Sequence, residues 1–225
     1  MKNVLILPCY RPNFRIIELV SYFENYNNLQ VILVNNGNNY EYQNIFDELV
    51  KINNLILIKV DENQGKGFGI KYALNYISKF KSLNSVIFAD SDGQHTNEDI
   101  RKFVEYCTNN KLDNTFLIGS RNHNRHTPKK NLIGNILYNF ALRIFKKIYL
   151  KDSLCGLRAI SFTNINELIQ IKYNDFKFEI ETIFLLKRKN FFFKEIEISS
   201  TYFNNAKSNF SSFKDTFQLI YMLFI

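Results

Sequence analysis

Short apolar runs that alternate with helix-like segments are the feature that most constrains the fold of this chain. The runs are rich in Val, Ile and Leu and are apolar nearly throughout, as expected for strands covered on both faces. Five of them occur before residue 120, at 4–7, 29–34, 55–60, 86–89 and 116–119. Between them, apolar residues recur at helical spacing over 16–23 and 72–80. The alternation predicts an α/β fold with a mostly parallel, Rossmann-like sheet flanked by helices.

The second half of the chain changes pattern without a linker or an internal repeat. A basic loop over 121–130 precedes an amphipathic helix at 132–149, an extended segment at 154–162, helices at 164–171 and 177–189, and a strand at 193–198. Because 225 residues suit one large domain, we expect a single domain over 1–212. A capping box at Ser212–Asp215 predicts a terminal amphipathic helix over the apolar residues 213–225.

The charge and the cysteine content restrict the partners and the compartment. The chain has 29 Lys and Arg against 21 Asp and Glu, a net charge of +8 that favours nucleotides, nucleic acid or an anionic membrane surface. Three cysteines without a CxxC pair argue against a disulfide framework or a zinc knuckle, so we expect a reducing cytoplasm. No apolar run reaches the roughly 20 residues that span a bilayer. The apolar start breaks at Pro8 and is interpreted as a buried strand rather than a signal peptide.

Two aspartates follow the fourth predicted strand, in the sequence Phe88–His95. Residues two apart in an extended segment point to the same side, so Asp90 and Asp92 can present their carboxylates together. Such a pair suits Mg²⁺ or Mn²⁺, which keep positions open for water and substrate phosphates. The alternative is a surface pair that caps the next helix. Gly93 is misplaced for an EF-hand loop, so that calcium motif is excluded.

A glycine-rich segment, Gly65–Gly69, opens the helix after the third predicted strand. Its glycines, Lys66 and the helix amino terminus together suit an anion, although a tight turn with a solvated lysine explains the same residues. The spacing is neither a P-loop nor a dinucleotide-binding fingerprint. The turn after the first strand, Pro8–Asn13, contains no glycine, which also argues against a dinucleotide-binding unit.

Seven segments in this order resemble the family-2 glycosyltransferases of the GT-A fold: VLILPCYRP, VILVNNGN, NQGKGFGIKYAL, VIFADSDGQH, LIGSR, DSLCGLRAIS and FKFEIETI. Within that family the chain looks most like the dolichol- or polyprenol-phosphate sugar transferases. The resemblance implies a nucleotide-diphospho-sugar donor, a Mg²⁺ or Mn²⁺ ion and inversion at the anomeric carbon. It further implies a polyprenyl phosphate or membrane-linked glycan acceptor, with a nucleotide-sugar-binding half at 1–120 and an acceptor-side half at 121–212.

The resemblance assigns the donor site residue by residue. The nucleotide-sugar-binding residues it implies are Pro8, Tyr10, Asn35, Asn36, Asn63, Gly65, Lys66, Asp90 and Arg121. Asn35 and Asn36 depart from the family pattern, which usually has Asp there, and an amide offers a donor as well as an acceptor. Asp90 and Asp92 correspond to the metal-binding D-x-D, and Asp92 is the expected direct ligand.

The same resemblance assigns catalytic and acceptor roles. Its catalytic residues are Asp92, Arg158, Glu179 and Glu181, and its acceptor residues are Gln94, Arg125, Lys129, Lys207 and Ser208. An ionised lipid phosphate needs no strong base, whereas a sugar hydroxyl would need a carboxylate such as Glu179 or Glu181. The alternative for these two acids is that one pairs with Arg158 and the other is solvated. We expect Cys155 to be a buried, inert thiol.

Two other classes of protein compete with this interpretation. A sugar-phosphate nucleotidylyltransferase would need a glycine-rich, arginine-containing loop after the first strand, where Pro8–Asn13 stands. A non-catalytic basic protein that binds membranes or nucleic acid leaves the D-x-D pair unexplained, and nucleic-acid motifs are not evident. We expect no nucleic-acid partner but peripheral attachment to the cytoplasmic membrane face, through the basic loop and residues 213–225. Packing of that last helix on the body, or homodimer formation, is the alternative.

Overall fold

Seven strands form one sheet in the order β3-β2-β1-β4-β6-β5-β7 in the computed structural model, which describes residues 2–122, 129–199 and Met222. The strands are β1 (Lys2–Cys9), β2 (Leu29–Asn36), β3 (Leu55–Val60), β4 (Leu83–Phe88), β5 (Thr115–Arg121), β6 (Arg158–Ser161) and β7 (Phe192–Ile198). Every run that the sequence identified as a strand falls on one of them. The predicted α/β fold with a mostly parallel sheet is therefore confirmed.

Strand direction determines where the loops meet. β6 is antiparallel to both β4 and β5, whereas all the other strand pairs are parallel. The carboxyl ends of six strands and the amino end of β6 therefore lie along one edge of the sheet, which we call the rim. The strand order reverses between β1 and β4, and ligands of open α/β sheets bind in the crevice at such a point.

Within the described residues, seven α-helices connect the strands. They are α1 (Arg15–Tyr22), α2 (Gln43–Leu49), α3 (Lys66–Ile77), α4 (Asn97–Asn109), α5 (Lys129–Lys146), α6 (Ile165–Ile169) and α7 (Lys177–Arg188). The helix α4 begins with a side-chain cap, because Thr96 accepts a hydrogen bond from the Asp99 amide. α2 was not predicted, because seven residues are too few to give a clear helical periodicity.

The core lies around the central strands. The side chains of 4–7 and 31–34 are almost all fully buried apolar groups, because helices cover the sheet. α3 packs on β1 and β2, and α4 packs on β1 and β4. At the edge of the sheet, β7 alternates between more and less exposed residues. Burial on both faces thus explains why the central strands read as continuous apolar runs.

Several predicted features lie outside the described residues. These are the acceptor candidates Arg125, Lys207 and Ser208 and the helix predicted over 213–225, of which Met222 alone is described, as helical and buried. The backbone of Lys129 is described as the first residue of α5. Among the helices of the described ranges, none is long and apolar enough to cross a membrane.

Two glycines give a matched test of this packing. A Cβ added at Gly119 in β5 would lie 2.8 Å from Cys155 Sγ and 2.9 Å from Ile198 Cδ1, whereas at Gly134 in α5 it would meet no described atom within 4 Å. We expect Gly119→Ala to lower the free energy of unfolding by about 1–3 kcal/mol through overpacking. Gly134→Ala should raise it by about 0.5–1 kcal/mol through helix propensity. Urea unfolding of both variants measures these changes, and the same sign for both would contradict the packing described.

Candidate active site

The crevice between β1 and β4 brings two loops of the predicted site together. The Ser91 hydroxyl donates to the Pro8 carbonyl over 2.8 Å, and the Ala89 amide donates to the Ile6 carbonyl over 3.2 Å. Tyr10 is half-buried in the turn after β1. The turn that contains Pro8 and Tyr10 therefore lies directly beside the acidic segment that follows β4.

Lys66 connects two carboxylates at this crevice. It is the first residue of α3; its Nζ forms an ion pair with Asp90 Oδ1 and lies 2.9 Å from Glu179 Oε1, at the start of α7. Burial disfavours the charged ammonium, but the two carboxylates outweigh it and raise the pKa of Lys66. Lys66 is consequently protonated at neutral pH and places a positive charge in the crevice.

Gly156, in the loop before β6, lies directly against this ion pair. An added Cβ would lie 3.0 Å from Lys66 Nζ and would overlap the Asp90 carboxylate. A side chain at this position would therefore displace the Asp90 carboxylate. The loop reaches this position because β6 runs antiparallel, so that its first residue, Arg158, pairs with Phe88 at the end of β4.

Asp90 has a second neighbour that the sequence analysis did not assign. His95 is buried, and its Nε2 lies 3.4 Å from Asp90 Oδ2, a long contact. Burial alone would raise the pKa of Asp90, but Lys66 and then His95 lower it, so that the carboxylate is ionised at neutral pH. The sequence signal for His95 is its position directly after Asp92-Gly93-Gln94.

Asp92 differs from Asp90 in its surroundings. It is exposed, and its Oδ1 accepts a hydrogen bond of 2.9 Å from the Gln94 amide. Partial desolvation and repulsion by the Asp90 carboxylate raise the pKa of Asp92. A cation beside the two carboxylates would offset that repulsion, so the donor set fits Mg²⁺ or Mn²⁺. The described ranges contain no cluster of three or more metal-ligating residues, and the other ligands would be water and phosphate.

An asparagine network lies beside the crevice. Asn36 Nδ2 donates to the Gly65 carbonyl over 3.0 Å and to Asn63 Oδ1 over 3.2 Å, and Asn63 Oδ1 also accepts from the Gly65 amide. Asn35 Oδ1 accepts from the Asn38 amide and side chain. A carboxylate at position 36 could not donate these two bonds, which gives a physical reason for the departure from Asp at this position.

Arg121 is held at the end of β5 by a buried carboxylate. Its Nε and Nη2 lie 2.6 and 2.9 Å from the two oxygens of Asp152, and Asn135 in α5 donates to the same carboxylate. Burial would raise the pKa of Asp152, but Arg121 lowers it. The guanidinium is therefore fixed at the carboxyl end of β5, on the same edge of the sheet as the other strand ends.

The structure separates the remaining predicted catalytic residues. Arg158 is 3% exposed, and its guanidinium donates to the carbonyls of Ser153, Cys155 and Glu179. The bonds to Ser153 and Cys155 brace the loop that carries Gly156, and Arg158 Nε also lies 4.0 Å from the Glu179 carboxylate. Of the two predicted acids, Glu179 joins the Lys66 cluster.

Glu181 takes a different position on the same helix. It forms an ion pair of 2.5 Å with Arg188, seven residues further along α7. Cys155 is buried, and burial raises the pKa of its thiol to about 12, as expected for an inert group. Gln94 is half-buried beside Asp92. The candidate site therefore consists of the two aspartates, the lysine cluster and the asparagine network.

This chain belongs to glycosyl transferase family 2, whose family model matches residues 5–169. A relative from Methanococcus voltae is 26% identical over 237 residues, which cover 97% of this chain and 93% of the relative. It is named UDP-N-acetylglucosamine--dolichyl-phosphate N-acetylglucosaminyltransferase. The expected family resemblance is thus confirmed, and the nucleotidylyltransferase and non-catalytic alternatives are wrong.

Solved structures share the fold. Glucosyl-3-phosphoglycerate synthase from Mycobacterium tuberculosis, in complex with Mn²⁺, UDP and glucosyl-3-phosphoglycerate, has a TM-score of 0.63 at 12% identity, over 99% of this chain and 77% of that one. A structure of the same synthase holds Mg²⁺ and UDP (TM-score 0.58, 13% identity, 91% and 72% coverage). A fragment of S. aureus TarS with UDP-GlcNAc has a TM-score of 0.60 at 15% identity, over 99% and 65% of the two chains.

The match identifies the sheet as a GT-A glycosyltransferase fold, and the chain is a glycosyltransferase that uses a nucleotide-sugar donor. The strand-end rim described above is the part of this fold where the Asp90 and Asp92 pair lies.

The asparagine network gives a testable prediction. Asn36→Asp removes two donated hydrogen bonds and places a carboxylate against two oxygen acceptors, so we expect a loss of about 1–3 kcal/mol of stability. Asn39→Asp makes the same charge change at an exposed position and should cost little. Thermal unfolding of both variants measures the difference, and equal melting temperatures would contradict the network.

Proposed function

We propose that the chain transfers a sugar, with inversion and with a divalent metal, from a nucleotide-diphospho-sugar to a polyprenyl phosphate. The observation that carries this proposal is the close placement of Asp90, Asp92 and Lys66 at the point where the strand order reverses. The acceptor is supported by the Methanococcus voltae relative, whose name includes dolichyl phosphate and which aligns over almost the whole chain.

The donor binds along the rim formed by β1, β2 and β4. We assign the base and ribose to the segments around Tyr10, Asn35 and Asn63, which the hydrogen bonds of the asparagine network hold in place. The diphosphate then lies towards Lys66 and the amino terminus of α3, where the lysine ammonium and the helix dipole favour an anion. Pro8, Asn36 and Gly65 shape this part of the site through backbone and side-chain contacts.

The main chemical requirement is to stabilise the negative charge that develops on the leaving group. This charge develops because the bond from the sugar to phosphate breaks through an oxocarbenium-like transition state. A Mg²⁺ or Mn²⁺ ion held by Asp90 and Asp92 would supply Lewis-acid stabilisation of the departing nucleoside diphosphate. Lys66 adds a fixed positive charge, because its raised pKa keeps it protonated. Arg121, fixed by Asp152, provides a second cation at the same rim.

The acids on α7 favour an acceptor that is already ionised. Glu179 is engaged with Lys66, and Glu181 is engaged with Arg188, so each carboxylate has a cationic partner. A lipid phosphate is a nucleophile at neutral pH without a general base, whereas a glycan hydroxyl would need one. The acceptor-side roles of Gln94 and Lys129, and those of Arg125, Lys207 and Ser208, stay predictions.

The cellular setting follows from the acceptor. A polyprenyl phosphate keeps its head group at the bilayer surface, so we place the enzyme at that surface as a peripheral protein. Its location on the cytoplasmic face stays a prediction. Attachment through residues 213–225 and homodimer formation stay predictions.

A panel of UDP-, GDP-, dTDP- and CDP-sugars, each with and without Mn²⁺, tests the donor. We expect UDP-N-acetylglucosamine with Mn²⁺ to raise the melting temperature most, because a UDP or UDP-GlcNAc ligand is present in the similar structures. Transfer to a short-chain polyprenyl phosphate, followed by mass spectrometry, tests the acceptor. Transfer to a glycan hydroxyl but not to the phosphate would overturn the acceptor, and stabilisation by ATP or NADH alone would overturn the donor class.

Replacement of one carboxylate tests the metal. We expect Asp92→Asn to lower turnover at least about a hundredfold, because the leaving-group charge loses its partner, while the melting temperature is nearly unchanged. Asp113→Asn, an exposed aspartate in the loop before β5, is the matched control and should retain full activity. Normal activity of Asp92→Asn would remove the metal from the mechanism.

A further inference from the structure

A row of large apolar side chains on the helix α5 is exposed to solvent. Five of its side chains are between 55% and 63% exposed and recur at helical spacing: Ile133, Ile136, Leu137, Phe140 and Ile144. We call these five residues the α5 stripe. Single exposed apolar residues are ordinary in soluble proteins, but a contiguous stripe of large ones marks an interaction surface.

The opposite face of the same helix is firmly packed. Tyr138 and Leu142 are buried in the core, and Asn135 is buried with its amide on the Asp152 carboxylate. Because these contacts fix the rotation of α5 about its axis, the stripe is held outward by the rest of the fold. The helix therefore has two apolar faces, and only one of them packs against the core.

The segment that carries the stripe has charged side chains of one sign only. Residues 129–151 contain six basic and no acidic side chains, in a chain whose net charge is +8. Arg143, Lys147 and Lys151 are exposed. The Arg143 guanidinium lies 5.1 Å from the ring centre of Tyr149, which is 68% exposed. Apolar and aromatic groups flanked by cations are the composition of helices that lie in a membrane interface.

We propose that the α5 stripe binds the surface of an anionic lipid bilayer, with the helix lying in the plane of the interface. Apolar side chains enter the boundary between head groups and acyl chains, while Arg143, Lys147 and Lys151 meet the lipid phosphates. The helix lies on the membrane and does not cross it, because its 18 residues include four basic side chains and are not apolar enough to span a bilayer.

The basic charge of the segment that carries the α5 stripe favours an anionic bilayer over a second copy of the chain. Pairing two α5 stripes in a symmetric dimer would bring two segments of like charge together, which opposes association. An anionic bilayer would instead bury the apolar side chains of the stripe and attract the basic residues beside it. The membrane is therefore the occupant that this surface chemistry favours.

The position of α5 gives this binding a consequence for the site. The helix follows β5, whose last residue is Arg121, and Asn135 and Arg121 share the Asp152 carboxylate. A bilayer bound to the α5 stripe therefore lies near the rim that carries the candidate active site. The inference rests on surface chemistry alone and is independent of which acceptor the enzyme uses.

Vesicle sedimentation of the full-length protein tests the proposal. The probes are vesicles of phosphatidylcholine with phosphatidylglycerol, and vesicles of phosphatidylcholine alone. The test variant is Ile136→Gln combined with Phe140→Gln, which keeps helix propensity while removing apolar surface. The matched control is Phe192→Gln, since Phe192 is 76% exposed at the far end of β7. Circular dichroism and donor-induced thermal stabilisation confirm that each variant is folded.

We expect the wild type and Phe192→Gln to sediment with anionic vesicles and to be released by high salt. The double variant should partition about tenfold more weakly or worse, because two large apolar groups no longer enter the bilayer. Equal sedimentation of the double variant and the wild type would overturn the proposal, as would a wild type that binds no vesicles. A wild-type dimer in light scattering that the double variant converts to a monomer would instead show an interface between two copies. Binding that disappears on removal of residues 213–225, with the α5 stripe intact, would likewise overturn it.

Discussion

The ion pair between Lys66 and Asp90 is the interaction on which the candidate site depends. It joins the start of α3 to the end of β4, and Glu179 adds the start of α7 to the same ammonium. Gly156 leaves room for the Asp90 carboxylate of this pair, because a Cβ at that position would overlap Asp90 Oδ2. Three elements that are distant in sequence are thereby fixed around one positive charge, next to the exposed carboxylate of Asp92.

The reversed direction of β6 in the described sheet makes this arrangement possible. Because β6 runs against β4 and β5, the loop that carries Gly156 arrives at the edge where the other strands end. Arg158, at the first position of β6, then binds the carbonyls of that loop and of α7. A buried guanidinium that is satisfied by backbone oxygens gives the loop a fixed shape, and the cluster around Lys66 needs such a shape.

The sequence predicts the strands and the rim well, for a physical reason. Central strands buried on both faces must be continuous apolar runs, and parallel strands bring their carboxyl ends together, so Asp90 and Asn36 could be placed on one rim. The pairing of Lys66 with Glu179 could not be predicted, because the two residues are 113 positions apart and meet only in the folded chain. The outward α5 stripe was likewise hidden, because the periodicity of an amphipathic helix does not show which of two apolar sides meets the core. His95 was visible only as the residue after a recognised segment, and its contact with Asp90 needs the folded loop.

Anomalous diffraction at the manganese edge, from crystals grown with Mn²⁺ and UDP-N-acetylglucosamine, tests the central claim most directly. We expect one strong peak between the diphosphate and the carboxylates of Asp92 and Asp90, with Lys66 on the diphosphate side and Gly156 unmoved. A bound nucleotide whose manganese lies away from both carboxylates, or carboxylates that point away from the diphosphate, would contradict the claim.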